Sequence, residues 1–177
     1  QVDRMLADPK GKRFVGNFLR VWLELDNIGK MPPSREFVSF YRDNLESAMR
    51  KETELLFENV LKKNLRPLEL LTADYSYINR ELAAHYGIAG LEGNEFRKVS
   101  LAGAERGGIL GHGSFLTASA NGVDTSPVIR GIYVMNKLLD YTPPPPPDDV
   151  PEIEPDVTGA TTCLLYTSPS PRDTPQS

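Results

Sequence analysis

The chain has 177 residues, a formal net charge of −4, a hydrophobic share of 40% and a charged share of 25%. This balance is typical of a globular protein, and a mildly acidic chain lacks the concentrated positive charge of nucleic-acid binders. No apolar run approaches the roughly 20 residues that a membrane-spanning helix needs. We therefore expect neither a nucleic-acid partner nor a transmembrane segment.

The first strong helical pattern follows Asp8, a predicted N-cap, and Pro9, a predicted first helical residue. Apolar side chains then recur at helical spacing, with aromatic residues prominent among them: Phe14, Phe18, Leu19, Trp22 and Leu25. This spacing predicts a helix that buries an aromatic stripe. Gly29 and the Pro32–Pro33 pair end the pattern, because neither continues a helix well.

The strongest helical pattern runs from Asp43 to about Lys63. Its apolar face is formed by Leu45, Ala48, Met49, Leu55, Leu56 and Val60. Glu52 lies close to that face, where an unpaired carboxylate is costly. We expect Glu52 to form an ion pair with an arginine, and a catalytic acid is the alternative. The candidate arginines are Arg20, Arg80 and Arg106.

Two shorter helices are predicted next, one at 67–71 and one from about Tyr77 to Tyr86, which Gly87 would cap. The segment 89–114 is too rich in glycine for one packed helix, so we expect a domain boundary or a long loop near 89–95. Within it "FRKVSL" is the only strand that we predict, and "GGILGHGSFLTAS" is predicted to be helical.

A last helix of about fourteen residues is predicted after Ser126 and Pro127. Its apolar face would contain Val128, Ile132, Met135, Leu138 and Leu139. The prolines at 143–147 favour a stiff polyproline II strap.

The predicted fold class is therefore mainly α. A helical domain at 1–90 precedes a smaller, Gly-rich helical unit at 91–150, which has little strand and ends in the polyproline strap. A disordered tail at 151–177 follows, because its composition is polar and rich in proline.

The end of the tail, "CLLYTSPSPRDTPQS", holds Cys163, the one cysteine of the chain. One DNA sequence that encodes it resembles the end of a transposase-based sequencing adapter running into its read primer. We therefore predict that residues 163–177 are translated adapter. Like other segments of artificial origin, they are excluded from the prediction of the fold. Cys163 then has no predicted role as a ligand or a redox thiol.

The chain has two histidines, His85 and His112. His85 closes a predicted helix, where a cation meets the helix dipole favourably, so we interpret it as a capping or packing residue. For His112, in "GHGS", ordinary hydrogen bonding is the preferred interpretation, and an axial haem ligand or a distal acid/base is the alternative. His112 and Glu52 are thus the two catalytic candidates.

No recognised catalytic, nucleotide or metal motif accompanies these two residues. Ser114 lacks the spacing of a nucleophile elbow, and no His recurs with Asp or Glu at metal-ligand spacing. We therefore predict no metal or cofactor site in these residues, and the sequence leaves open whether the protein is an enzyme.

Several longer phrases carry a family resemblance: "RMLADP", "RKETELLFENVL", "LLTADYSYINRELAAHYGI", "FRKVSL", "RGGILGHGSFLTASA" and "TSPVIRGIYVMNKLLDYTPPPPPDDVP". Together they resemble two adjacent domains of unknown function from large secreted proteins of planctomycetes, the planctomycete secreted domain and planctomycete cytochrome C domain families. Residues 120–122 and Asp140–Tyr141 depart from the usual family pattern.

The resemblance implies a secreted or periplasmic protein whose native sequence continues beyond Thr162 into a C-x-x-C-H haem attachment motif. The expected function is a haem-free scaffold that positions neighbouring haem domains of the same chain for electron transfer or peroxidase-like oxidation. One alternative is an extracellular carbohydrate-binding or carbohydrate-degrading module that acts on polysaccharide through Trp22 and several tyrosines. Another is a protein-interaction domain without chemistry.

Overall fold

The computed structural model describes residues 1–30, 43–102, 106–120 and 127–144. Within these ranges the protein is mainly helical, as the sequence predicted, and it has one two-stranded sheet, of which the sequence predicted one strand. Contacts divide the chain into two units, Gln1–Ser119 and Ala120–Ser177. The division at residue 90 stays a prediction. The last prolines of the strap, the tail at 151–177 and the suspected adapter lie outside the described residues.

The first unit begins with helices α1 (Val2–Ala7) and α2 (Gly11–Trp22), followed by a 3-10 turn at Leu25–Asn27. The long helix α3 (Asp43–Lys62) and the short α4 (Glu69–Thr72) come next. Strand β1 (Tyr75–Ile78), helix α5 (Arg80–Tyr86) and strand β2 (Arg97–Ser100) follow. A second 3-10 turn at Ile109–Gly111 leads into α6 (Gly113–Ala118).

The core of this unit lies along α3, which contacts α2, α4, α5, α6 and β1. Towards the start of α3 the buried cluster comprises Leu45, Ala48, Met49, Ile78, Leu82 and Ala83. Towards its end a second cluster comprises Leu56, Val60, Leu70, Ala73 and Tyr75. The apolar periodicity of α3 therefore predicted the helix correctly, and five of the six residues of its predicted apolar face are buried, whereas Leu55 is half-buried.

Strand β1 corrects the prediction of a helix that begins at about Tyr77. It pairs antiparallel with β2, with Tyr75 opposite Ser100 and Ile78 opposite Arg97. Helix α5 starts only at Arg80, because the side chain of Asn79 accepts a hydrogen bond from the N–H of Leu82 at 3.0 Å and caps the helix. Four residues are too few to show a period, so pairing with β2 decides the structure.

The aromatic stripe of α2 is a second correction, because its rings are not the buried face. Phe14 is 53% exposed and Phe18 is 39% exposed, whereas Val15, Leu19 and Leu23 are buried. The aromatic rings contact one another, and Phe18 stacks on Phe57 of α3 at 5.3 Å between centroids. The smaller side chains let α2 approach α3 closely, which leaves the larger rings at the edge of the contact.

The second unit contains helix α7 (Pro127–Leu138), whose existence and extent were predicted. Its predicted apolar face is largely uncovered, since Val128, Ile132 and Leu139 are exposed while Tyr133 is buried. Periodicity identifies an apolar face but not what covers it. No helix of the described ranges has the length and hydrophobicity needed to cross a bilayer.

Candidate functional site

Six polar side chains meet between the two core clusters, and we call them the Glu52 network. They are Glu52 and Thr53 of α3, Ser76 of β1, Tyr86 at the end of α5, His112 at the N-cap of α6, and Ser114 of α6. Glu52 is 1% exposed and His112 is 2% exposed, while Thr53, Ser76 and Ser114 are fully buried. Burial of so many polar groups requires that each has a hydrogen-bond partner.

The secondary structure explains how these side chains point inwards. Glu52 and Thr53 follow Met49 and precede Leu56 by about one helical turn, so they share the buried side of α3. His112 has an extended backbone, with φ −71° and ψ 141°, and links the second 3-10 turn to α6. The change of direction at His112 turns its ring towards α3.

Both carboxylate oxygens of Glu52 accept hydrogen bonds from hydroxyl groups. The Ser76 hydroxyl donates to Oε1 at 2.5 Å, and the Tyr86 hydroxyl donates to Oε2 at 2.6 Å. The Tyr86 oxygen in turn accepts the backbone N–H of Gly113 at 2.8 Å. The carboxylate is therefore held from three segments of the chain.

The His112 ring lies between two hydroxyl groups. Its Nδ1 is 2.9 Å from Thr53 Oγ1, its Nε2 is 3.4 Å from Ser76 Oγ, and Thr53 Oγ1 is 2.6 Å from Ser114 Oγ. We assign the protons so that Ser114 donates to Thr53, Thr53 to Nδ1, and Nε2–H to Ser76. Each donor in this series of hydrogen bonds then points towards the Glu52 carboxylate.

Burial shifts the acid–base behaviour of the network. It raises the pKa of Glu52 from 4.5 to about 7, against the opposing effects of the Ser76 and Tyr86 hydroxyls and of the Arg106 charge. Burial, and secondarily the Arg106 charge, lowers the pKa of His112 from 6.5 to about 3. The imidazole is therefore neutral at pH 7, so its 3.9 Å approach to Glu52 Oε1 is not a salt bridge.

The expected ion pair between Glu52 and an arginine is wrong in its direct form. Arg20 pairs with Asp26 at 3.1 Å, and Arg80 is exposed at the start of α5. Arg106 acts on Glu52 only through its charge, because its guanidinium donates to the Gly111 carbonyl at 2.8 Å. That guanidinium also lies 4.2 Å over the Tyr86 ring. The Glu52 carboxylate is therefore bound by hydroxyl groups and not by an arginine.

The structure brings the two catalytic candidates, Glu52 and His112, together, while a catalytic role for either stays a prediction. Their contacts differ from a nucleophile–base–acid triad, because the carboxylate accepts from Ser76 and Tyr86 and does not orient the imidazole. Sequence reasoning missed Thr53, Ser76, Ser114 and Tyr86 as partners, since no local motif connects them. His85 lies in the last turn of α5, as predicted, with its ring 5.6 Å from that of Tyr86.

The residues of the chain do not fit a covalently bound haem. Attachment of c-type haem needs both cysteines of C-x-x-C-H, and the sequence contains one cysteine. Both ring nitrogens of His112 face hydroxyl groups in the core. Within the described ranges, no group of three or more His, Cys, Asp or Glu side chains could hold a metal ion.

A more accessible part of the surface lies along α2. A cleft of about 580 Å³ is lined by charged residues of α2, the first 3-10 turn and α3. An apolar recess of about 330 Å³ is lined by Phe14, Asn17, Phe18, Val21 and Trp22. Asn17 lines both, so the two recesses are neighbours.

Comparison with known families gives two matches in chain order. Residues 1–88 match the model of the family PSD4, described as a protein of unknown function (DUF1592). Residues 106–168 match the model of PSCyt3, also described as a protein of unknown function (DUF1588). No curated protein and no solved structure matches the chain. The second match includes the first residues of the suspected adapter, whose origin stays a prediction.

The Glu52 network joins the two matched segments. Glu52, Thr53, Ser76 and Tyr86 lie in the first match, and His112 and Ser114 lie in the second. Residues assigned to two families by sequence therefore complete one buried cluster.

Proposed function

We propose that this chain, whose residues 1–88 and 106–168 match two planctomycete cytochrome C-associated domain families in that order, is the haem-free scaffold of a secreted or periplasmic c-type cytochrome-like protein. In this role it holds a neighbouring haem module in place for electron transfer or peroxidase-like oxidation. The haem would be held by other parts of the parent protein, since the residues present here do not fit it.

The observation that carries this proposal is the bonding of the Glu52 network across both matched segments. A hydrogen-bonded network in a low-dielectric interior rigidifies its surroundings, because breaking any member leaves a buried polar group without a partner. Such a closed network supports a rigid spacer better than a reactive centre.

Two glycines strengthen this connection between the segments. Gly108 has φ +54°, and a Cβ there would collide with the backbone of Leu71. A Cβ on Gly113 would lie 2.9 Å from Met49 Cε and 3.0 Å from the Tyr86 oxygen. At Gly108 the second segment therefore approaches the backbone of the first more closely than a residue with a side chain would allow, and at Gly113 an added Cβ would require the Met49 side chain to move.

The experiment that tests the proposal is to amplify and sequence the native gene across the codon for Thr162. We expect a C-x-x-C-H motif within several tens of residues, and haem absorbance in the protein purified from its native source. A native continuation without that motif, in a protein without haem, would remove the basis of the scaffold role.

A second candidate function, an extracellular carbohydrate-binding module, is favoured by the exposed rings of Phe14 and Phe18. Exposed aromatic faces are suited to stacking against the apolar face of a sugar ring. Carbohydrate degradation has less support, because Glu52 is buried among hydroxyl groups and does not flank an open cleft beside a second carboxylate.

A further inference from the structure

The cleft beside α2 carries an excess of positive charge. Its charged lining consists of Arg13, Arg20, Arg50 and Lys51 against Asp26 and Glu54. Four positive and two negative groups give a local charge of +2, in a chain whose net charge is −4. The cleft volume of about 580 Å³ lies within the range of small-ligand sites. An anion is therefore the complementary occupant.

The positive groups of the cleft are only partly neutralised. Arg20 pairs with Asp26 at 3.1 Å and Lys51 with Glu54 at 2.9 Å, in pairs that solvent reaches. Exposed ion pairs of this kind are weak, so a ligand competes for the cations at little cost. Arg13 is exposed and has no ion pair or side-chain hydrogen bond among the described residues.

Arg50 is held in place mainly by neutral groups. Its guanidinium donates to the carbonyls of Leu25 at 3.4 Å and Ile28 at 2.9 Å, while the carboxylate of Glu46 lies at 4.0 Å. Carbonyl oxygens orient the guanidinium without cancelling its charge. Arg50 therefore presents a fixed positive charge to the cleft, and Arg13 presents an exposed one.

The neighbouring recess supplies an apolar surface within reach of these charges. Phe14 and Phe18 stack with centroids 5.9 Å apart, and Phe18 and Trp22 lie 5.4 Å apart. The amide of Asn17, which lines both recesses, offers a donor and an acceptor to a hydroxyl group between them. A ligand that fits both therefore combines an oxyanion, hydroxyl groups and a flat apolar face.

We propose that α2 carries a binding site for an acidic oligosaccharide, with its anionic group in the cleft and one sugar ring against the aromatic recess. The proposal is independent of the scaffold role, and it specifies a ligand for the second candidate function. Guanidinium groups bind carboxylates and sulfates through paired hydrogen bonds, so the shared chemistry is an oxyanion on a sugar.

Trp22 is the only tryptophan of the chain, so its fluorescence reports on the recess directly. The test is to titrate the 177-residue protein with oligogalacturonate, which bears carboxylates, and with sulfated dextran. At least one of these probes is expected to change the fluorescence saturably, and their relative affinities distinguish carboxylate from sulfate. Unmodified dextran is expected to bind at least about tenfold more weakly, because it lacks the charge.

Two substitutions test the two halves of the site. Arg13→Gln is expected to weaken binding about tenfold through loss of one charge-assisted contact. Phe14→Ala is expected to weaken it by a similar factor through loss of the stacking surface. The matched control is Arg97→Gln, which removes an exposed arginine on β2 and is expected to leave binding unchanged. Circular dichroism confirms that each variant is folded.

Three results would overturn the proposal. Equal binding of unmodified dextran would show a carbohydrate site that does not recognise charge. Equal binding of poly-glutamate would show a general response to polyanions or acidic peptides. Saturable binding that neither Arg13→Gln nor Phe14→Ala weakens would place the ligand elsewhere. None of these outcomes affects the scaffold proposal, which depends on the haem motif of the parent gene.

Discussion

The Glu52 network and the cleft beside α2 are both rich in polar side chains, yet these side chains differ in whether they have hydrogen-bond or ion-pair partners. Inside the core, Glu52, Ser76 and His112 have their polar atoms engaged at fixed distances. On α2, Arg13 is exposed without a partner among the described residues, and the Arg20–Asp26 pair is open to solvent. The cost of burying an unpartnered polar group explains the difference, since water solvates the exposed groups. Substitutions should therefore affect stability in the core and binding at the surface.

The largest effect is expected from Gly108→Ala, which breaks the core where the second segment meets the first. Gly108 has φ 54° and ψ −173°, a conformation almost restricted to glycine, and a Cβ would collide with the Leu71 carbonyl. We expect a loss of at least about 3 kcal/mol in the free energy of unfolding, measured by urea denaturation.

Gly87→Ala is the control for this substitution, because Gly87 also has a positive φ of +71° but no atom lies within 4 Å of its Cβ position. It should cost only about 1 kcal/mol. Equal costs for the two glycines would contradict the close approach of Gly108 to Leu71.

The next effect is expected from Tyr86→Phe, which removes one hydroxyl from the network. Glu52 Oε2 would lose its donor and the Gly113 N–H its acceptor, which should cost about 2 kcal/mol. Tyr141→Phe removes an exposed hydroxyl and should change stability by less than about 0.5 kcal/mol. A Tyr86→Phe protein as stable as the parent would indicate that these two hydrogen bonds of the Tyr86 hydroxyl contribute nothing to the stability of the fold.

The pH dependence of stability separates Glu52 from His112. The pKa of Glu52 is raised from an ordinary value of 4.5 to about 7 in the folded protein. Its contribution to the free energy of unfolding is therefore fully present below pH 4.5 and is lost as pH rises towards 7. The pKa of His112 is lowered from an ordinary value of 6.5 to about 3 in the folded protein. Its contribution to the free energy of unfolding is therefore fully present above pH 6.5 and is lost as pH falls towards 3. The two slopes oppose each other between pH 4.5 and 6.5 and should nearly cancel.

Single substitutions should reveal each slope by thermal or urea denaturation at several pH values. In Glu52→Gln, stability should rise with pH between 4.5 and 6.5, by up to about 1.4 kcal/mol per pH unit. In His112→Gln, stability should fall over the same interval by a similar amount. If both variants keep the flat profile of the parent, the opposite shifts described for Glu52 and His112 are wrong.

The smallest effect is expected at the surface, from Gly16→Ala in α2. The added Cβ would lie 3.5 Å from Glu54 Oε1, an ordinary contact, and alanine favours a helix interior over glycine. We expect a gain of about 0.5–1 kcal/mol, measured by the shift of the urea midpoint. Gly131→Ala in α7 has open space around its Cβ and should give a comparable gain. A loss at Gly16 alone would show that α2 and α3 lie closer than described.

The sequence predicted those parts of the fold that a local pattern determines. The apolar period of α3, the glycine cap of α5 and the strand β2 were all readable from neighbouring residues. Strand β1 was not, because four residues adopt a strand only when β2 pairs with them. The burial predicted for the aromatic stripe of α2 was wrong for a related reason. The size of the rings suggested that they are buried, but the close contact between α2 and α3 buries the smaller side chains instead.

The candidate site was predictable only in part. The spacing of Glu52 from Met49 correctly placed its carboxylate near the apolar face of α3. Its partners lie 24 and 34 residues further along the chain, and the Thr53–Ser114 contact spans 61 residues. Nothing local to these positions tells a hydroxyl partner from an arginine, so only the folded structure identifies them.

The position of His112 and Ser114 late in the chain has a consequence for synthesis on the ribosome. Thr53 is translated 59 residues before His112 and 61 before Ser114. At the usual speed of about 5–20 residues per second, Thr53 of α3 emerges roughly 3–12 seconds before its last partners emerge. During that interval water must solvate the hydroxyl and carboxylate groups of α3, so the core of the nascent protein cannot exclude water. Folding of the first unit therefore finishes only once the beginning of the second family's sequence has left the ribosome.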